Sequence, residues 1–280
     1  MIAPDEMPIG IFDSGVGGLS VLRHIQLQLP YEHLVYFADS GFAPYGDKPE
    51  AVIVARSLAI AEFLLQQGAK ALVVACNTAT AAAIKGLRER YCSVPVVGVE
   101  PGLKPAAAHS KNQLIGVLAT DRTLNSTKFN LLREQVSAAT GSQFLLQACI
   151  GLADQIETGD LQSSVIEALV QSYVAPLIAR DVDTLVLGCT HYPFIRPLIE
   201  SLIERSGKNI QLIDTGEPVA RHLARRLAEH GLQRSMGGRV QLTAYTSASP
   251  AALDAAFLAL LGIPTTARFM APTQTTFQLG

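Results

Sequence analysis

The sequence predicts an α/β fold of two pseudo-symmetric lobes, each a largely parallel sheet flanked by helices, with the active site expected in the cleft between them. Three observations carry this. Short apolar runs alternate with longer stretches of helical period. The runs are apolar throughout, as in Leu72-Val73-Val74-Ala75, which marks strands buried on both faces of a parallel sheet. Finally, three segments recur in the same order and at nearly the same spacing: Ile9–Ser14 is echoed by Ile115–Thr120, Leu72–Thr78 by Leu185–His191, and Val97–Pro101 by Leu212–Gly216. The expected division places residues 1–100 and 214–280 in the first lobe and 101–213 in the second.

In chain order the expected strands are Pro8–Phe12, Leu34–Ala38, Ala71–Ala75, Val94–Val99, Leu114–Leu118, Thr184–Gly188 and Ile210–Ile213. Expected helices include Pro49–Gly68, Thr80–Arg90, Asn125–Thr140, Ser163–Arg180 and Val219–His230. Ligands of such sheets bind beyond the carboxyl ends of the strands. The chemically informative residues cluster at those ends.

Composition narrows the function. The chain has 280 residues, 49% hydrophobic and 16% charged, which is a globular composition with room for two domains. A net charge of -2 provides no basic field for nucleic acid or an anionic membrane. The longest apolar stretch, Ala69–Ile84, is broken by Lys70, Asn77, Thr78 and Thr80, so no membrane span is expected. Asp5 and Glu6 stand where a signal peptide would be basic, and the expected compartment is the cytoplasm. Cys76, Cys92, Cys149 and Cys189 form no C-x-x-C pair, so they are expected as free thiols with no metal bound.

Two of these cysteines stand in unusual company. Each ends an apolar strand and is followed at once by hydrogen-bonding residues: Asn77 and Thr78 after Cys76, Thr190 and His191 after Cys189. A core cysteine has apolar neighbours, whereas a thiol beside donors at a sheet edge can be tuned to act as acid or base near neutral pH. Two such thiols would suit a carbon that loses a proton from one face and regains it on the other. The first strand runs into Asp13-Ser14-Gly15-Val16-Gly17-Gly18-Leu19-Ser20, which is no dinucleotide fingerprint because Ser20 occupies the third glycine's place. The turn is expected instead to let the backbone approach a small ligand, with helix N–H groups offered to a carboxylate. Asp39–Gly46 is a second polar loop after a strand.

These blocks resemble the glutamate racemases. Asp13–Ser20, Pro44-Tyr45-Gly46, Ala75–Ala79 and Gly188–Pro193 are similar to that family's signature blocks, in order, and Val97–Pro101, Gly116–Thr120 with Thr123, and Ile213-Asp214 match more weakly. The likeness covers nearly the whole chain and fades after about Gly231. It implies that Cys76 and Cys189 are the catalytic acid and base, with Asp13 beside Cys76, His191 beside Cys189, and Glu157 as a further active-site carboxylate. In the Glu157 block the chain departs from the family, with Ile150 where a proline commonly follows Cys149. The likeness further implies that Asp13, Ser14, Pro44, Tyr45, Gly46, Asn77, Thr78, Thr120, Thr123, Thr190 and His191 bind substrate.

The expected activity is cofactor-independent racemisation of L- and D-glutamate by two-cysteine proton transfer at Cα, supplying D-glutamate for peptidoglycan. No cofactor or metal is expected, and the partner is a small molecule rather than nucleic acid or membrane, with a homodimer as the expected assembly. The alternatives are a racemase of aspartate or a hydantoin, and a two-lobed small-molecule binding protein with inert thiols. Aspartate enzymes of this kind usually carry Glu at the place of His191.

Overall fold

A computed structural model describes residues 3–235 and 238–272. The chain divides into two compact units, residues 1–99 with 216–280 and residues 100–215.

The first unit is built on strands β1 (Ile9–Asp13), β2 (Leu34–Ala38), β3 (Ala71–Val74), β4 (Val96–Gly98), β9 (Leu242–Thr246) and β10 (Arg268–Phe269). They form one sheet in the order β10-β9-β2-β1-β3-β4, with every pairing parallel. Its helices are α1 (Leu19–Gln28), α2 (Glu50–Gln66), α3 (Asn77–Arg90), α10 (Gly216–Glu229) and α11 (Pro250–Leu261). β1, β2 and β3 are buried along their whole length, as their apolar sequences up to Asp13 at the end of β1 require.

The second unit contains β5 (Leu114–Ala119), β6 (Gln143–Ala148), β7 (Thr184–Leu187) and β8 (Gln211–Ile213), again all parallel, in the order β6-β5-β7-β8. Its helices are α4 (Leu103–His109), α5 (Asp121–Asn125), α6 (Thr127–Thr140), α7 (Leu152–Glu157), α8 (Ser164–Ala179) and α9 (Arg196–Arg205).

The order β2-β1-β3-β4 in one sheet corresponds to β6-β5-β7-β8 in the other. The three sequence echoes fall on β1 and β5, β3 and β7, and β4 and β8. The unit with residues 216–280 adds β9 and β10 beyond β2.

Every expected strand and helix is present, β2 with the expected bounds and the others with one or both ends shifted by one to three residues. The helix expected from Thr80 starts at Asn77, because the Cys76 thiol caps it by accepting from the Ala79 N–H. The helix expected from Val219 starts at Gly216. Among the described residues no helix is long and apolar enough to cross a membrane.

Candidate active site

In the first unit the site residues collect at the carboxyl ends of β1, β2 and β3. Asp13, fully buried, closes β1 and accepts the backbone N–H groups of Gly15 at 3.2 Å and Gly18 at 2.8 Å through Oδ2. The turn therefore folds around its own carboxylate. Two of the N–H groups expected to face a ligand, those of Gly15 and Gly18, are spent on Asp13. Gly18 is obligatory for this packing: a Cβ there would lie 2.7 Å from Asp13 Cβ and 3.0 Å from Ala75 Cβ.

Ser14 follows Asp13 and joins it to the thiol. Its Oγ lies 3.5 Å from Asp13 Oδ1 and 3.5 Å from Cys76 Sγ. Cys76 Sγ also lies 3.4 Å from the Ala79 N–H at the start of α3, where the helix dipole favours negative charge. Asn77 is only 6% exposed, and neither its amide nitrogen nor its amide oxygen has a hydrogen-bond partner among the described residues. An unsatisfied buried amide costs about 1–3 kcal/mol, so this side chain can pair with a ligand or water at no cost to the protein's own hydrogen bonds. Thr78 is buried beside it.

Pro44, Tyr45 and Gly46 lie in the loop after β2. The Ala43–Pro44 bond is cis, and the short 3-10 turn Tyr45–Asp47 packs on α3. The Tyr45 hydroxyl donates to Asp39 Oδ2 at 2.5 Å. Burial, with Asp39 beside it, holds the phenol far above its ordinary pKa, so it remains a proton donor committed to Asp39.

In the second unit Cys189 follows β7 and Glu157 ends α7. Cys189 Sγ lies 3.6 Å from His191 Nδ1, and His191 Nε2 lies 2.6 Å from Glu157 Oε2. Both ring nitrogens are thus engaged, in the order thiol, imidazole, carboxylate. Burial alone would lower the His191 pKa. Cys189 and Glu157, hydrogen-bonded to the ring, outweigh burial and hold the pKa well above that of a free imidazole. Glu157 is placed against His191 despite the departure at Ile150, whose side chain is exposed and whose carbonyl accepts the Tyr173 hydroxyl. Thr120, at the end of β5, caps α5 and donates to Thr123 Oγ1 at 2.9 Å. Thr190 is buried next to Cys189.

Each unit therefore assembles its own predicted residues: Asp13, Ser14, Cys76, Asn77, Thr78 and the Pro44–Gly46 turn in one, Thr120, Thr123, Glu157, Cys189, Thr190 and His191 in the other. The two thiols follow β3 and β7, the corresponding strands of the two sheets. The sequence reading missed Arg56 and Ser247, which converge with the Tyr45 hydroxyl on the Asp39 carboxylate. An arginine amid the apolar run of α2 was the available signal, since a buried guanidinium needs a carboxylate.

The family model for Asp/Glu/Hydantoin racemase matches residues 9–223. The chain belongs to this racemase family. It is 51% identical over 259 residues to a glutamate racemase of Methylococcus capsulatus, covering 92% of each chain. It is 54% identical over 227 residues to one of Ectopseudomonas mendocina, covering 81% of this chain and 84% of that one. The fold matches a glutamate racemase of Francisella tularensis solved with D-glutamate, at a TM-score of 0.82 and 27% identity over 98% of this chain and all (100%) of that one. As a member of the racemase family, the chain is an enzyme, an isomerase. The family match stops at residue 223, before β9.

Proposed function

We propose that this racemase interconverts L- and D-glutamate by passing the α-proton between Cys76 and Cys189, without an organic cofactor, and supplies D-glutamate for peptidoglycan in the cytoplasm. The observation that supports it most is the pair of strand-end thiols at corresponding places in two duplicated sheets, each with its own polar relay. Cys76 is backed by Ser14 and Asp13, and Cys189 by His191 and Glu157. The relatives named glutamate racemase, at about half identity over most of the chain, support glutamate as the substrate.

In this reading one cysteine enters as thiolate and takes the Cα proton, becoming a thiol. The electron pair left on Cα spreads into the substrate carboxylate. The other cysteine, entering as thiol, gives its proton to the opposite face and becomes thiolate. Product formation leaves the two thiols with exchanged protonation states, so one form of the enzyme accepts each enantiomer.

The difficulty is that an amino-acid α-proton is far less acidic than a thiol. Fixed donors must hold the charge that develops on the carboxylate. The unpaired Asn77 amide and the hydroxyls of Thr78, Thr123 and Thr190 would supply them, with the Tyr45–Gly46 backbone, while Ser14 and Thr120, which donate to Asp13 and Thr123, would line the site. The α3 terminus favours negative charge on Cys76, while the His191 ring stands against Cys189.

The test is to incubate L-glutamate, D-glutamate and L-aspartate separately in D2O without added cofactor, following chirality and Cα deuterium. Glutamate should racemise and take up deuterium, and aspartate should not. Cys76→Ala and Cys189→Ala should each lower racemisation by about a thousandfold or more. Folded wild-type protein that leaves glutamate unchanged, or a double alanine variant that still racemises it, would refute the reading.

A further inference from the structure

Behind the Tyr45 turn lies a cluster outside the cysteine relays. Asp39 is fully buried, and its carboxylate is filled by side-chain donors from its own loop and from two other segments. Arg56 of α2 gives two hydrogen bonds, Nε to Oδ2 at 3.0 Å and Nη2 to Oδ1 at 2.6 Å. Tyr45 gives the 2.5 Å bond to Oδ2, and Ser247 gives one to Oδ1 at 2.7 Å. Ser247 Oγ also accepts the Gly41 N–H at 3.0 Å, so one hydroxyl bridges the buried carboxylate and the backbone of the loop. The fit is close: a Cβ on Gly41 would lie 2.5 Å from the Ser247 carbonyl oxygen. The guanidinium stacks on Phe42 of the same loop, 3.8 Å from the ring centroid. Both ends of loop 39–47 are therefore held, one at Gly41 by Ser247 and the other at Tyr45 by Asp39.

Ser247 stands just after β9, and its N–H donates to the Ala38 carbonyl at the end of β2. It belongs to the segment that extends the sheet beyond the family match. We propose that Ser247, acting with Arg56 through Asp39, is a positioning residue for the substrate turn Pro44–Gly46, so that the C-terminal strand of the unit sets substrate affinity. The proposal rests on the reading of that turn as part of the glutamate site. The turn shares a buried cluster with Cys76 through Tyr45, so a looser loop would present its backbone to the substrate less often while both thiols and their relays stay intact. The expected signature is a weaker hold on substrate rather than slower chemistry.

The experiment compares wild type, Ser247→Ala, Ser247→Thr and Arg56→Lys in the full chain. It measures kcat and KM for both glutamate enantiomers, together with amide hydrogen exchange over residues 40–48. Ser247→Ala should raise KM about tenfold, the loss of one hydrogen bond to a charged group, with kcat within about threefold of wild type and faster exchange in the loop. Ser247→Thr, which keeps the hydroxyl, should restore both. Arg56→Lys, which keeps the charge but loses the fork, should raise KM in the same way and covers the case of an alanine variant that does not fold. Wild-type turnover with KM and loop exchange unchanged in the variants would overturn this assignment alone. So would a fall in kcat that merely follows the folded fraction and is not restored by threonine. Wild-type protein inert towards glutamate would overturn the racemase reading and the assignment with it.

Discussion

Glu157 and His191 are 34 residues apart in the chain and 2.6 Å apart in space, Oε2 to Nε2. The carboxylate holds the ring so that its other nitrogen faces Cys189. Because the folded-state pKa of His191 lies above the free value of 6.5, the native state binds this proton more tightly than the unfolded chain. The resulting stability is fully present below about pH 6.5 and is lost as pH rises through the folded-state pKa. Glu157→Gln keeps the shape and removes the charge. It should lower the His191 titration midpoint in an NMR pH series and reduce kcat by about ten- to a hundredfold, the worth of one charge-assisted hydrogen bond. An unmoved midpoint would show that Glu157 does not set the state of this ring.

Two glycines should respond to alanine in opposite directions. At Gly18 the new methyl would meet Asp13, Ala75 and the Tyr36 hydroxyl, all within 3.0 Å. Overpacking there should cost about 1–3 kcal/mol and impair activity by shifting Asp13. Gly86 lies inside α3, where a methyl group would have no neighbouring atom within 4 Å, and alanine there should stabilise by about 0.5–1 kcal/mol. Urea denaturation of both variants checks the pair. Equal effects would mean that the Asp13 turn tolerates far more movement than its hydrogen bonds indicate.

The sequence made most of this framework legible because its strands are buried on both faces. β1, β3 and β7 are almost wholly apolar, and the echoes of β1 in β5, β3 in β7 and β4 in β8 already contained the duplicated topology. β6 was not legible: Gln143–Ala148 is an edge strand, polar at Gln143 and Gln147 and only partly buried, so it lacks a continuous apolar run. β9 and β10 lie where resemblance to the family had faded. At the site, residues adjacent to each cysteine could be read from the chain. Pairings over long separations, such as His191 with Glu157 or Asp39 with Arg56 and Ser247, depend on which strand ends the fold brings together. A buried arginine says that a carboxylate is needed, but not which one.

Lys70 and Glu32 form an ion pair at 2.5 Å with both side chains 1% exposed. The pair secures the opposite end of the first sheet, since Lys70 also donates to the Asp5 carbonyl and Glu32 accepts the Arg234 N–H. Lys70→Met would leave a carboxylate buried without its counter-charge, which should cost about 3–5 kcal/mol. Adding Glu32→Gln removes that stranded charge and keeps an acceptor for Arg234, so the double variant should recover a large part of the loss. A double-mutant cycle by urea denaturation reads the coupling. Simple additivity would show that the two groups do not stabilise one another.

Cys149 is the thiol to distinguish from the proposed acid and base. It follows β6, shares a buried cluster with Cys189, and could be mistaken for a third participant. Burial pushes its pKa up to about 12, with the Tyr192 hydroxyl opposing the shift and Cys189 adding to it. At pH 8 only about one molecule in ten thousand would carry the thiolate, which is the form that reacts. Cys92, by contrast, is exposed. Iodoacetamide applied to the native protein at pH 8 should therefore label Cys92 first and Cys149 last, with the four sites converging once the chain is denatured. Peptide mass spectrometry over a time course gives the order. If Cys149 reacts as fast as Cys92, its surroundings open readily in solution, and its exclusion from proton transfer would then need Cys149→Ala kinetics to stand.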